Sequence, residues 1–147
     1  MAEALVEQDE KQESTQNKKI YLQTHKNIQE HYSYEILLLE DNFARVQTKF
    51  QYTQTIDEEG MIFDGSIFLA ANFSAIAAIN QPNTIVVDAK VKFYTPIKKG
   101  DSVIFEASTN NTIANKKDVS VIGLINDITV FQGNFITIQL DKKSLLK

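Results

Sequence analysis

From Phe43 to Tyr52 the chain alternates. Ala44, Val46, Thr48, Phe50 and Tyr52 fall on one side, and Arg45, Gln47, Lys49 and Gln51 on the other. A period of two over ten residues predicts an antiparallel strand with one face buried and one wet. The same period returns from Thr84 to Tyr94, where Ile85, Val87, Ala89, Val91 and Phe93 oppose Asp88, Lys90, Lys92 and Tyr94. Further strands are predicted for Tyr34 to Glu40, around Val103, Phe105 and Ala107, from Val119 to Ile125 and from Ile128 to Leu140. Turn residues separate them: Asp41-Asn42, Pro96 to Asp101 with Gly100 suited to positive φ, the polar stretch Asn110 to Lys117, and Asn126-Asp127. Gly133, inside the last strand, predicts a bulge or a close backbone approach.

One stretch breaks the alternation. Gly60 to Asn80 contains no Lys, Arg or Glu, and after Ser66 it is almost entirely Ile, Phe, Leu and Ala. Apolar and small residues occupy every azimuth, so a helix here is predicted to be buried all round. Ser66 or Asp64 is suited to its N-terminus, and Asn80 followed by Gln81-Pro82 to its end. Asn72 is the strongly polar side chain in its middle, and a buried amide needs partners. Strand, long buried helix, then four strands on short turns is an α+β order, with a curved antiparallel sheet around one central helix.

The flanks read differently. Residues 1–18 are polar and acidic and predict a flexible tail. From 19 to 32, Tyr21, His25, Ile28 and Tyr32 recur at helical spacing and predict a short amphipathic helix. The folded domain is then expected over 33–141, with a C-terminal tail at 142–147. A chain of 147 residues fits one core. The absence of cysteine excludes disulfides, thiol chemistry and cysteine-based metal sites, and fits a reducing cytoplasm. No apolar run reaches the roughly 18–20 residues of a membrane span. A formal net charge of −4 argues against a nucleic-acid partner. With His25 and His31 as the two histidines, no metal centre is expected, and His25 on its apolar stripe reads as a packed side chain.

The element order, with Gly60-Met-Ile-Phe-Asp-Gly-Ser-Ile-Phe-Leu-Ala-Ala-Asn72, resembles the hotdog fold of acyl-CoA thioesterases and acyl-CoA-binding proteins over roughly residues 33–140. Within that superfamily the helix is similar to the effector domain of the malonyl-CoA-sensing repressor of bacterial fatty-acid synthesis, matching it at Gly60, Phe68, Ala71 and Asn72. Val91 to Asp101 and Val130 to Phe135 look like further strands of the same family. The resemblance implies a homodimer, possibly a larger assembly, with an acyl-CoA pocket at the subunit interface. It implies Phe63, Asp64, Gly65, Ser66, Phe68 and Asn72 as ligand-binding residues. Lys90, Lys92, Lys98 and Lys99 are candidates for the phosphates of a CoA or phosphopantetheine arm, against the plainer reading of exposed strand and turn lysines.

The departures bear on chemistry. One thioesterase group carries an Asp or Glu where Asn72 stands, and an amide can neither take a proton from water nor attack a carbonyl. Phe63 occupies the place of an Arg that, by resemblance, pairs the malonyl carboxylate, so a neutral acyl chain is expected. A second thioesterase group keeps a catalytic Asp in the loop before the helix. Asp57-Glu-Glu-Gly60 looks like that setting, and its alternative is a solvated acidic loop. The function expected is therefore non-catalytic binding or sensing of an acyl-CoA or acyl-carrier thioester, with no other cofactor. The alternatives are a thioesterase using Asp57, and an interaction protein with a vestigial pocket and a protein partner on the N-terminal helix. The repressor's DNA-binding module has no counterpart in residues 1–32, so no direct DNA binding is expected.

Overall fold

The computed structural model describes residues 19–141; the expected tails at 1–18 and 142–147 lie outside them. A short helix, α1 (Lys26–His31), precedes the strands β1 (Glu35–Glu40) and β2 (Phe43–Lys49). A single 3-10 turn (Tyr52–Gln54) leads to the long helix α2 (Asp64–Ile79). Four strands follow: β3 (Thr84–Phe93), β4 (Ser102–Ile113), β5 (Lys116–Ile125) and β6 (Ile128–Gln139). They form one sheet in the order β1-β2-β4-β5-β6-β3, antiparallel at every pairing. The sheet curves around α2. That is the α+β architecture expected from the pattern, and the hotdog fold that the resemblance implied.

Turn chemistry sets the hairpins. Asn126 and Asp127 both adopt positive φ between β5 and β6, the two-residue geometry whose twist matches that of the flanking strands. Asn42 does the same between β1 and β2. The polar stretch Asn110 to Lys117 is mostly strand, because β4 runs on to Ile113 and β5 starts at Lys116, leaving a turn at Ala114-Asn115.

The core lies between α2 and the inner sheet face. Ala44, Val46, Thr48 and Phe50 are buried as the alternation predicts, but Tyr52 is exposed because β2 ends at Lys49 and the 3-10 turn redirects the chain. On β3 the expected face is only half right. Ala89 and Val91 point inward, yet Ile85 and Val87 are exposed. The pairing with β6 shifts register between Val86 and Asp88, and one extra residue moves everything before it to the opposite face. Gly133 proves to be a close approach. A Cβ there would lie 2.8 Å from the Phe135 ring and 3.1 Å from Val91.

Helix α2 divides into two halves. Phe73 to Ile79 are buried without exception, as a helix apolar at every azimuth should be. The first half is not buried all round: Asp64 is exposed, and Gly65, Ser66, Phe68, Leu69 and Asn72 are half-buried along one side. Phe63 occupies the N-cap position without a side-chain cap bond. Asn80 ends the helix in the left-handed conformation. Its amide also grips the N-terminal segment, accepting from Gln23 N at 2.6 Å and donating to Tyr21 O at 2.8 Å.

That grip explains why helix is confined to Lys26–His31 rather than starting at residue 19. The preceding residues are held against the end of α2 by these two hydrogen bonds, with Leu22 against the core. Helix α1 buries no residue fully and is too short to be stable alone. His25 begins it in the left-handed conformation, its Nδ1 2.8 Å from Thr24 Oγ1. Burial lowers the His25 pKa from the ordinary 6.5, so the folded state resists a proton that the unfolded chain accepts. The stability from the neutral ring is complete above about pH 6.5 and is lost as pH falls below it. Asn tolerates the left-handed region. The melting-temperature advantage of wild type over His25→Asn should therefore shrink between about pH 8 and about pH 5. A difference independent of pH would remove His25 as the cause.

Candidate functional site

The half-buried side of α2 floors a cleft of about 780 Å³. From the helix come Gly65, Ser66, Phe68, Leu69 and Asn72, with the Phe63 ring at the rim. Their spacing is that of one helical face. Two segments distant in sequence wall the cleft. The end of α1 supplies His31, Tyr32 and Ser33, while the end of β2 and the 3-10 turn supply Lys49, Gln51, Thr53 and Gln54.

Each wall is fixed. Gln51 and Gln54 cap the 3-10 turn reciprocally, and Phe63 N donates to Gln54 O at 2.8 Å, joining the turn to the start of α2. On the other side, Gln29 Nε2 donates to Tyr34 O at 2.9 Å and Tyr34 N to Gln29 O at 3.0 Å. Tyr32 stacks on Tyr34, which packs against Phe73 of α2. Burial, and next the neighbouring Tyr32, push the Tyr34 phenol's pKa up, so it stays neutral; its hydroxyl is buried with no hydrogen-bond partner among the described residues.

Asn72 lies on the cleft floor, and its Oδ1 is buried with no partner among the described residues. A buried acceptor left unpaired is costly unless a ligand or water supplies a donor. Among the described residues no carboxylate lines the cleft. Its charged side chain is Lys49, although the whole chain carries 19 acidic against 15 basic residues.

The other expected site residues are dispersed. Asp64 is exposed, accepts from Gly65 N at 3.0 Å, and faces a smaller apolar cleft of about 370 Å³ lined by Ile56, Met61, Ile67, Phe93 and Tyr94. Asp57 is exposed and folds back on its own loop, accepting from Glu59 N at 2.9 Å; it lines neither cleft. Lys90 and Lys92 stand on the outer sheet face opposite Asn134 and Gln132. Lys98 belongs to the turn before β4, where its backbone N–H donates to Asp101, and the Lys99 ammonium lies over the Tyr52 ring at 5.5 Å. None of these four lysines lines either cleft. Lys49, Tyr32, His31, Gln51 and Gln54 do, and the sequence carries little to single them out. Lys49 reads there as one more polar residue on the wet side of an alternating strand. Among the described residues no cluster of three or more His, Asp or Glu is placed to hold a metal ion, and no helix is long and apolar enough to cross a membrane.

No protein-family model matches the chain. Over 119 residues it is 33% identical to the methylthioribose-1-phosphate isomerase of Aquifex aeolicus, covering 81% of this chain and 26% of that protein. It is 32% identical over 69 residues to the transcription factor FapR of Staphylococcus aureus, covering 47% of this chain and 37% of FapR. The chain thus spans only about a quarter to two fifths of the curated relatives it matches. Among solved structures, the uncharacterized protein PH1136 of Pyrococcus horikoshii superposes with a TM-score of 0.81 at 27% identity, over 86% of this chain and 97% of that one. Cj0977, a sigma28-regulated virulence protein of Campylobacter jejuni, superposes with a TM-score of 0.78 at 30% identity, over 82% and 94%. Two more share the fold at 14% identity. One is the PaaI protein from the E. coli phenylacetic acid degradation operon, with a TM-score of 0.69 over 80% of this chain and 86% of that. The other is a hypothetical thioesterase from Streptococcus pneumoniae solved with coenzyme A, with a TM-score of 0.67 over 73% and 85%. Six antiparallel strands around one long helix, in a chain that superposes on these proteins, settle the fold. The chain has the hotdog fold, and at 30% identity over 94% of Cj0977 it belongs to the family of that protein.

Proposed function

We propose that this chain binds an acyl thioester of coenzyme A or of an acyl carrier in the larger cleft, without hydrolysing it, as a cytoplasmic homodimer. The observation that carries this reading is Asn72, a neutral amide on the cleft floor whose Oδ1 is buried and unpartnered. That atom is an acceptor, so a thioester carbonyl cannot satisfy it, whereas an amide N–H of a pantetheine arm can. The Nδ2 of the same side chain can donate to the thioester oxygen. Phe68 and Leu69 offer an apolar surface for an acyl chain, and Phe63 at the rim offers no partner to a carboxylate-bearing one. The likeness to FapR over part of the chain, and to a coenzyme A-bound hotdog protein in fold, supports the ligand class.

Hydrolysis needs a base or nucleophile at the thioester. Among the described residues the cleft has no carboxylate, Asp57 is tied into its own loop, and the Asp64 carboxylate accepts from Gly65 N in the first turn of α2. There it opposes the negative charge that would develop on a carbonyl oxygen approaching the helix N-terminus. For the dimer, β3 forms one edge of the sheet and exposes Ile85, Val87 and Phe93; an apolar edge strand invites pairing with a second copy.

Calorimetry and a thioester-cleavage assay over a panel of acyl-CoAs test the reading on wild type, Asn72→Ala and Asp57→Ala. Wild type is expected to bind at least one acyl chain without turnover. Asn72→Ala should lose about tenfold in affinity, the worth of one buried hydrogen bond, while Asp57→Ala changes neither quantity. Turnover abolished in Asp57→Ala would establish the thioesterase reading instead. Binding of no acyl thioester would leave the interaction protein.

A further inference from the structure

The wall that α1 contributes to the cleft is the more unusual one. Tyr32 is 37% exposed, and its ring stacks on Tyr34 at 5.6 Å and 19°. Tyr34 is 1% exposed and meets Phe73 of the central helix at 4.9 Å. His31 closes one edge of the Tyr32 ring, at 4.7 Å and 85°. A surface tyrosine is therefore fixed through Tyr34 and Phe73 to the rigid core, with the remainder of its ring at the cleft. A pre-ordered aromatic surface loses little entropy when a second flat group stacks on it. The same cleft is lined by Lys49, among the described residues its one unconditionally charged side chain, with no carboxylate beside it in the lining. In a chain of net charge −4, a cleft whose fixed charge is a single cation selects anionic groups.

We infer that Tyr32 and Lys49 form the subsite for a planar, anionic end group, a nucleoside phosphate, with the base stacked on Tyr32 and a phosphate paired by Lys49. The inference rests on the thioester reading and deepens it, by assigning one end of the ligand to residues outside α2. It gives the ligand a direction. The acyl portion lies against Phe68 and Leu69, the amide-bearing arm passes Asn72, and the nucleotide ends between α1 and the end of β2. Gln51 and Gln54 are engaged in capping their own turn, so discrimination among end groups falls to the ring and the ammonium.

The test compares an acyl-CoA with the matching acyl-pantetheine, which lacks the nucleotide, by calorimetry on wild type, Tyr32→Leu, Tyr32→Phe and Lys49→Gln. Adenosine 3′,5′-bisphosphate alone is the third probe. Wild type should prefer the CoA ester by about tenfold or more, the scale of one stacked base. Tyr32→Leu and Lys49→Gln should each remove most of that preference without weakening acyl-pantetheine, and Tyr32→Phe should keep it. The Lys49 component should also fade in high salt. Equal affinity of wild type for the two esters, or a preference intact in Tyr32→Leu and Lys49→Gln, overturns the subsite and leaves thioester binding standing. If no thioester binds, but adenosine bisphosphate does and Tyr32→Leu abolishes it, the subsite stands as one for a free nucleotide and the thioester reading falls. If the bisphosphate fails as well, both fall.

Discussion

Truncating Phe105 to Ala is expected to lower the unfolding free energy by about 3–5 kcal/mol. The residue lies on β4, between β2 and β5, and has no exposed surface. Its ring meets Phe131 of β6 edge-on at 5.9 Å and also fills the space left by Gly123 of β5, whose added Cβ would lie 3.1 Å from Phe105 Cε1. Gly123 has no side chain with which to close the void. The cost is therefore the lost transfer energy plus most of the cavity term, not the transfer energy alone. A loss of this size is a large fraction of the roughly 5–15 kcal/mol that holds a typical domain folded. Phe43→Ala is the control, because Phe43 lies half-buried on the outer face of the sheet. Urea unfolding followed by far-UV circular dichroism reads the difference as a shift in midpoint at constant slope. A loss below about 1 kcal/mol would show that the sheet and α2 close over the void.

Strands were legible wherever burial follows a strict period of two. On β2 the inward set Ala44, Val46, Thr48 and Phe50 could be read from the sequence and stands in the structure. On β3 it could not, because the register shift after Val86 carries no residue-type signal; Val87 is as good an inward residue as Ala89 until its pairing with β6 is known. The helix was legible by composition but its open face was not. Gly65, Ser66, Phe68 and Leu69 are the residue types of a close-packed core, and only the arrangement of α1 and the 3-10 turn leaves them lining a cleft. Asn72 was the exception, since an amide among Ala, Ile and Phe is an anomaly in any context. The remaining wall was hidden by topology. Tyr32 and Lys49, at the two ends of the first hairpin, line one cleft with Asn72 only in the folded chain, and nothing local marks Lys49 over Lys90 or Lys98, which fit a phosphate equally well on paper.

Gly65→Ala is expected to separate ligand binding from folding. Gly65 is the second residue of α2, and an added Cβ there would run into the Phe63 ring, with Cζ at 2.7 Å. Phe63 is 53% exposed, so its ring can swing aside where a core ring could not. Ala also favours helix over Gly by up to about 1 kcal/mol. The fold should lose nothing measurable, and the melting temperature should hold or rise slightly. Both groups line the larger cleft, however, and the new methyl with the displaced ring must take up space at its rim. Acyl-thioester affinity should fall by about tenfold or more, near 1.4 kcal/mol, with Phe63→Ala in the Gly65→Ala background restoring part of it. The structural control is Gly133→Ala, where the added methyl meets Phe135, Val91 and Phe131 in the core. That variant should lose about 1–3 kcal/mol of stability through overpacking, so its effect appears in the melting curve first. Gly65→Ala reverses that order because its clash falls on an exposed ring at the mouth of the cleft. Unchanged affinity in Gly65→Ala would mean that the ligand does not pass the start of α2, and would move the search to the apolar cleft beside Asp64.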